Sequence, residues 1–206
     1  VTSDDELKLH SHRLWRLIDK RTQHGTDVAE LDRQIWDLFG QRCALMFTDL
    51  SGFSRNVEAF GILHFLQVIH ESRKVFFPII DEHRGILIKS EADSLLLMFR
   101  SPDAALDCAV AMQRACEHVN QRRRPEEQIL LCVGMGYGDV LCVGYEDVWG
   151  REVNAASKLG EDTAKAGEIL VTSDFLEGLR DKNPERFEQI ASVAGSERNY
   201  RYLGAK

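Results

Sequence analysis

The order of apolar runs constrains this chain more than any other feature. Cys43-Ala44-Leu45-Met46-Phe47-Thr48 reads as a buried strand. A long helical pattern follows, carrying Phe60, Leu63, Phe65, Leu66, Ile69, Val75, Phe76 and Ile79. Pro78 falls late in that run, where a proline kinks or ends a helix. Gly85 then introduces Ile86-Leu87-Ile88-Lys89, and Ser94-Leu95-Leu96-Leu97-Met98-Phe99 returns, which predicts a β-hairpin with Glu91-Ala92-Asp93 near its tip. A second helix follows, capped by Ser101 or Asp103, with Ala105, Leu106, Cys108, Ala109, Met112 and Cys116 on its apolar face. Ile129–Tyr137 and Val140–Val143 read as two strands around Gly138-Asp139. A helix is expected from about Val153 to Ala164, a strand at Glu168–Thr172 and a last short strand at Tyr200–Leu203.

Strand-helix-strand-strand-helix-strand is the ferredoxin-like βαββαβ order, so the expected class is α+β. One sheet with helices packed on one face would hold it together. Residues 4–40 differ in character. Leu7, Leu14, Trp15 and Ile18 recur at helical spacing, and Val28, Leu31, Ile35 and Leu38 form a second amphipathic stretch. Between them Gln23-His24-Gly25-Thr26-Asp27 ends one helix and offers Thr26 or Asp27 as the next N-cap. The expected division is a helical N-terminal extension at 1–41 and a main domain at 42–206.

Composition excludes some functions. The net charge of −7 argues against a nucleic-acid partner. The one basic cluster, Arg122-Arg123-Arg124, lies beside Glu126 and Glu127 and reads as a solvated loop. No apolar run approaches the roughly 20 residues that span a bilayer, and no apolar leader precedes the charged start, so a cytoplasmic protein with no membrane segment in this chain is expected. Five cysteines, odd in number and set within apolar segments, read as reduced core thiols. His64, His70 and His83 are scattered and lack metal-ligand spacing. Gly134-Met135-Gly136 lies inside a strand pattern and opens no helix, so it is not a dinucleotide-binding loop.

Two aspartates carry the chemistry. Asp49 ends the first apolar strand and is followed by the small-residue turn Leu50-Ser51-Gly52-Phe53-Ser54, while Asp93 occupies the hairpin tip. Two such carboxylates can share a pair of hard divalent cations, which lets a protein handle a nucleoside triphosphate without a Walker lysine loop. As the turn at Gly52, Phe53 and Ser54 opens a helix, its N–H groups would face phosphate oxygens.

In order and spacing these residues resemble the class III nucleotidyl cyclases. Phe47-Thr48-Asp49-Leu50-Ser51-Gly52-Phe53-Ser54 is similar to that family's first metal motif, Asp93 to its second metal aspartate, and Asp147-Val148-Trp149-Gly150-Arg151-Glu152-Val153-Asn154-Ala155-Ala156-Ser157-Lys158-Leu159 to its third signature. The resemblance covers roughly Ala44 to Thr172. It implies cyclisation of a nucleoside triphosphate by attack of the ribose 3′-hydroxyl on the α-phosphate, assisted by two divalent cations (Mg²⁺ or Mn²⁺) on Asp49, Asp93 and the Leu50 carbonyl. Lys89 and Asp147 stand where adenylate-forming members contact the base, so ATP is the implied substrate and 3′,5′-cyclic AMP the product. Asn154 would position the ribose. Lys158 stands where the family usually has an arginine that stabilises charge on the α-phosphate; it keeps the charge but lacks the planar fork, which implies slow turnover. Ala92 stands where the family generally has glycine, at a cost on the order of 1 kcal/mol if the position needs positive φ and at none in an ordinary turn.

For the triphosphate clamp, Arg198, Arg201 and Lys206 are the candidates, with none assigned. Because the family divides its site between two domains and this chain carries both sets, a head-to-tail homodimer is implied, with the N-terminal helices open to a regulatory partner. Two alternatives stay open. One is a cyclase of different base specificity, guanylate or pyrimidine. The other is a degenerate nucleotide-binding regulatory module with little turnover.

Overall fold

The computed structural model describes residues 3–52, 58–144 and 147–204, with side chains from residue 11 onward. Two helices come first, α1 (Ser3–Arg21) and α2 (Val28–Phe39). Asp27 is the N-cap that α2 uses, its carboxylate accepting from the Glu30 N–H at 3.1 Å, while the Thr26 hydroxyl closes the end of α1 on the Lys20 carbonyl at 2.9 Å. Leu14, Leu17, Leu31, Ile35 and Phe39 bury a common face against Val143, so one face of these helices packs on the chain's own sheet. Trp15, Trp36 and Leu38 stay exposed.

Strand β1 (Gly40–Leu50) follows α2 directly. Cys43 to Met46 are fully buried, as a strand covered on both faces must be. Helix α3 (Ile62–Glu82) runs through Pro78 rather than ending there. The bond that Pro78 cannot make belongs to the carbonyl of exposed Lys74, where water can satisfy it. Strands β2 (Ile86–Glu91) and β3 (Ser94–Phe99) form the expected hairpin. Ser101 caps α4 (Pro102–Asn120) through the Ala104 N–H at 3.3 Å, whereas Asp103 accepts from the Arg180 N–H at 3.2 Å.

Two strands were expected around Gly138-Asp139; the structure has one, β4 (Leu131–Val143), paired with β1 along its length. Gly138 pairs with Cys43 and Asp139 with Arg42, so neither turns the chain. Those glycines admit a helix, as shown below. The short β5 (Asp147–Trp149) folds back on β4, unanticipated by the sequence. The helix expected over 153–164 is α5 (Arg151–Ser157), continued by a wider π-helical turn over Lys158–Thr163. Then come β6 (Ile169–Thr172), α6 (Ser173–Gly178), β7 (Phe187–Ile190) and β8 (Asn199–Tyr202).

The sheet order is β2-β3-β1-β4-β6-β8-β7, with β5 on β4. Its first four strands are the antiparallel ferredoxin-like unit, and β4 to β6 is a parallel crossover through α5. Helices cover both faces rather than one. Ala44, Met46, Leu97 and Phe99 pack with Phe65 and Phe76 of α3 and Met112 of α4. Cys43, Leu45 and Val140 pack with Val153 and Ala156 of α5. Alternation along β1 feeds these two cores, each lined by one set of its side chains. All five cysteines are unpaired, and burial pushes Cys108, Cys116 and Cys132 up to about 12. No helix among the described residues is long and apolar enough to cross a membrane.

Candidate active site

The edge where β1 ends beside the β2–β3 turn brings Asp49 and Asp93 together. Thr48 pairs with Leu95 across β1 and β3, which sets the next residue, Asp49, beside Ser94, whose hydroxyl donates to its Oδ1 at 3.3 Å. Burial first, and then the charge of Asp93, push the Asp49 carboxyl up to about 6. Burial raises Asp93 as well. The two carboxyls interact, and the Asp93 charge favours the protonated form of Asp49. Such a pair is costly when doubly ionised, and a hard divalent cation relieves both its desolvation and its repulsion. The donor set therefore fits the metals that the sequence implies. No group of three potential ligands forms among the described residues.

Ala92 has φ of +48°, inside the left-handed region that glycine favours. This decides between the two readings that the sequence left for it: the turn does require positive φ. Gly52 also has positive φ, +96°, where the chain leaves β1. Phe53 and Ser54 lie outside the described residues, as does Lys206.

The base-contact candidates meet on the neighbouring wall. Lys89 of β2 and Asp147 of β5 form an ion pair at 2.9 Å, with 41% and 32% of their side chains exposed. The Val148 N–H orients the same Asp147 oxygen at 3.0 Å. They border an open groove of about 360 Å³ that also touches Phe47, Ser94, Val153 and Glu161. Ser94 thus links this groove to Asp49.

Asn154 and Lys158 are exposed on the outer side of α5 and its π-helical continuation, while Val153, Ala155, Ala156 and Leu159 are buried. The approach of this segment to the sheet rests on Gly134, Gly136 and Gly138, which share one face of β4. A Cβ on Gly134 would lie 2.2 Å from the Gly160 nitrogen and 2.3 Å from the Ala156 carbonyl oxygen. On Gly136 it would meet the Glu152 carbonyl oxygen at 2.7 Å. Lys158 is held by Asp162 at 2.6 Å, and that hydrogen bond raises its pKa. Among the described residues, neither Asn154 nor Lys158 is hydrogen-bonded to Asp49, Asp93, Lys89 or Asp147.

Of the clamp candidates, Arg201 is engaged by Glu168 and Glu188, and Arg198 by Glu177. One residue that sequence reasoning passed over is Glu152, 3% exposed. Its Oε2 accepts from the Thr172 hydroxyl at 2.7 Å and the Tyr137 N–H at 3.3 Å, and its Oε1 pairs with Arg151 at 3.2 Å. Burial raises its pKa, and these bonds tie the start of α5 to β4 and β6. A glutamate in a helical pattern reads as solvent-facing, so the sequence carries no signal for it. Ser94 was likewise missed, although it adjoins Asp93 and alternation along β3 fixes the side it faces.

Comparison with known proteins places the chain in a family. A stretch of 132 residues is 29% identical to the serine/threonine-protein kinase pkn2 of Myxococcus xanthus, covering 64% of this chain and 16% of that protein. A stretch of 134 residues is 28% identical to the putative adenylate cyclase 3 of Rhizobium meliloti (strain 1021), covering 65% of this chain and 22% of that one. The chain thus spans less than a quarter of the length of either relative. The fold is similar to that of an adenylate/guanylate cyclase/hydrolase from Silicibacter pomeroyi, with a TM-score of 0.64 at 24% identity over 81% of this chain and 99% of that one. Residues 39–202 match the model of the adenylate and guanylate cyclase catalytic domain, and with four-fifths of its length inside that match, this chain belongs to the class III nucleotidyl cyclase family.

Proposed function

We propose that the chain is an adenylate cyclase that converts ATP to 3′,5′-cyclic AMP and pyrophosphate. The Lys89–Asp147 pair at 2.9 Å carries this reading. A lysine donor suits adenine N1, and a carboxylate suits the exocyclic 6-amino group. Guanine presents a carbonyl and a protonated ring nitrogen there, so both protein groups would lose their partners. In the free protein each satisfies the other, and the base inserts by sharing them.

Two divalent cations, Mg²⁺ or Mn²⁺, would be held by Asp49, Asp93 and the Leu50 carbonyl, and when bound they acidify the 3′-hydroxyl and neutralise the triphosphate. Ser94 orients Asp49. Gly52 would offer its backbone N–H to the phosphates, the role that the sequence also implies for Phe53 and Ser54. Asn154 positions the ribose, and Lys158 leaves Asp162 to meet the charge on the α-phosphate. Asn154 and Lys158 make no bond to the aspartates within one chain, which favours a site completed by a second copy in a head-to-tail homodimer, on the division of 1–41 from 42–206. The N-terminal helices are then free to carry a regulatory partner's signal, in the cytoplasm, where ATP is available and thiols stay reduced.

A second reading has its own support. Lys158 is engaged by Asp162, and Ala92 sits where glycine is favoured, as a nucleotide-binding regulatory module with lost catalysis would allow. Incubating the purified chain with each of the four ribonucleoside triphosphates and Mn²⁺ or Mg²⁺, with products identified by mass, separates the readings. Cyclic AMP from ATP is expected. A cyclic product mainly from GTP or a pyrimidine nucleotide would refute the assignment to adenine, and binding without product would establish the regulatory module.

A further inference from the structure

Glu91 pairs with Ser94, so Ala92 and Asp93 are the two central residues of the hairpin turn. Positive φ at the first central residue is what a type II′ turn gives to glycine, and alanine resists it. Something must therefore hold this turn. Arg73 of α3 does so from outside the hairpin. Its Nη2 carries two N–H groups, one donating to the Ser90 hydroxyl at 2.9 Å and the other to the Ala92 carbonyl at 3.0 Å. Arg73 and Ala92 also line one small cavity of about 270 Å³ with Phe65, Leu66 and Ile69, so the hairpin turn and this side of α3 are neighbours.

The Ala92 carbonyl and the Asp93 N–H belong to one planar peptide unit. Fixing the carbonyl fixes the plane of that peptide unit, and with it the direction in which the chain enters Asp93. We infer that Arg73 is a positioning residue that holds the left-handed Ala92 turn and thereby aims Asp93 at the metal position it shares with Asp49. This rests on the proposal that Asp49 and Asp93 bind divalent cations. It also implies that the arginine and the alanine depend on each other. A glycine at position 92 would adopt the turn unaided, and Arg73 would then be dispensable.

A double-mutant cycle tests this dependence. Arg73→Met keeps the aliphatic stem and removes the donors. Mn²⁺ affinity is read from the electron paramagnetic resonance of the free ion, and the hold on the turn from hydrogen exchange of the Asp93 amide. The left-handed penalty of alanine, roughly 1–2 kcal/mol, corresponds to about five- to thirtyfold in population. Arg73→Met is therefore expected to weaken Mn²⁺ binding and speed amide exchange by about that factor, and by less than about twofold in an Ala92→Gly background. Ala92→Gly alone should bind Mn²⁺ at least as tightly as the parent. Equal losses in both backgrounds, or no loss in either, overturn the inference. If the parent chain binds no Mn²⁺, the metal reading fails, while amide exchange still decides whether Arg73 holds the turn. Should Arg73→Met not fold, Ser90→Ala, which removes one acceptor from the exposed turn, is expected to show a smaller loss with the same dependence on position 92.

Discussion

Replacing Gly134 with alanine tests the claim that missing side chains on β4 set the position of α5 and its continuation, which carry Asn154 and Lys158. The new Cβ would lie 2.2 Å from the Gly160 nitrogen and 2.3 Å from the Ala156 carbonyl oxygen, both backbone atoms with no rotamer to escape into. Restoring ordinary contact needs a displacement of about 1 Å. Strand β4 cannot retreat, since Gly134 is paired with Phe47 of β1 on one side and Leu170 of β6 on the other. The helical segment must move instead, and Lys158 lies between the two residues that are struck. Overpacking of this kind costs about 1–3 kcal/mol, and the reduced freedom of the unfolded chain returns about 0.5–1 kcal/mol. A net loss of about 1–2 kcal/mol lowers the melting temperature by roughly 2–8 °C for a chain of this size. A shift near 1 Å at a group that positions substrate is worth about a hundredfold in turnover. Gly138→Ala is the internal control: there the Cβ meets the Glu152 Cγ at 2.9 Å, a side-chain atom that can yield. Thermal denaturation of the alanine variants at 134, 136 and 138 should rank them in that order of damage. A Gly134→Ala protein melting within about 1 °C of the parent, or less damaged than Gly138→Ala, would refute this account of β4.

The raised carboxyl of Asp49 makes stability depend on pH. Because its folded pKa of about 6 lies above the ordinary carboxylate value, the folded state holds the proton more tightly, and that contribution is complete below about pH 4 and lost as pH rises through 6. Urea unfolding of the metal-free chain should show this loss between those limits, and Asp49→Asn should reduce it, leaving the part that comes from Asp93 and Glu152, which burial also raises. The cation must displace the same proton, so Mn²⁺ affinity in the parent should fall as pH drops below about 6; a flat profile from pH 5 to 7 would count against the raised Asp49 carboxyl. Lys158→Arg restores a planar fork, and kcat should rise several-fold; turnover no faster than the parent's in a steady-state assay would remove the explanation for slow catalysis. Lys89→Glu leaves adenine N1 without its donor and places two carboxylates together, so kcat/KM for ATP should fall about ten- to a hundredfold while GTP is spared; equal losses for both nucleotides would mean that Lys89 does not read the base.

Where the sequence was legible, periodicity and turn chemistry agreed. The hairpin carrying Asp93, the strand ending at Asp49 and the α+β order all follow from apolar runs bounded by small or charged residues. The same rules failed at Gly138-Asp139, where glycine was taken for a turn. A glycine that turns a chain and a glycine that lets a helix approach look alike until the partner helix is placed. Contacts between distant elements were invisible for a related reason. Glu152 with Thr172, and Arg73 with Ala92, join residues 20 and 19 positions apart, and no local pattern announces them. The opposite face of the sheet was missed because Cys43 to Met46 are all apolar, which marks a strand as buried without saying what covers each side.

These failures converge on one structural point. The aspartates sit on strand ends and a hairpin turn that local sequence specifies well. The proposed partners Asp147, Asn154 and Lys158 ride on β5 and on α5 with its continuation, whose placement depends on the absence of side chains along β4 and on one buried glutamate. Errors of 1 Å cost little in a sheet core and a great deal at a reacting phosphate. The tolerance of this domain to substitution should therefore be lowest along Gly134, Gly136 and Glu152, which touch no substrate. A saturation scan of β4 scored separately for folding and for turnover would show it: alternate positions facing α3 and α4 should lose folding and activity in proportion, whereas those facing α5 should lose activity first.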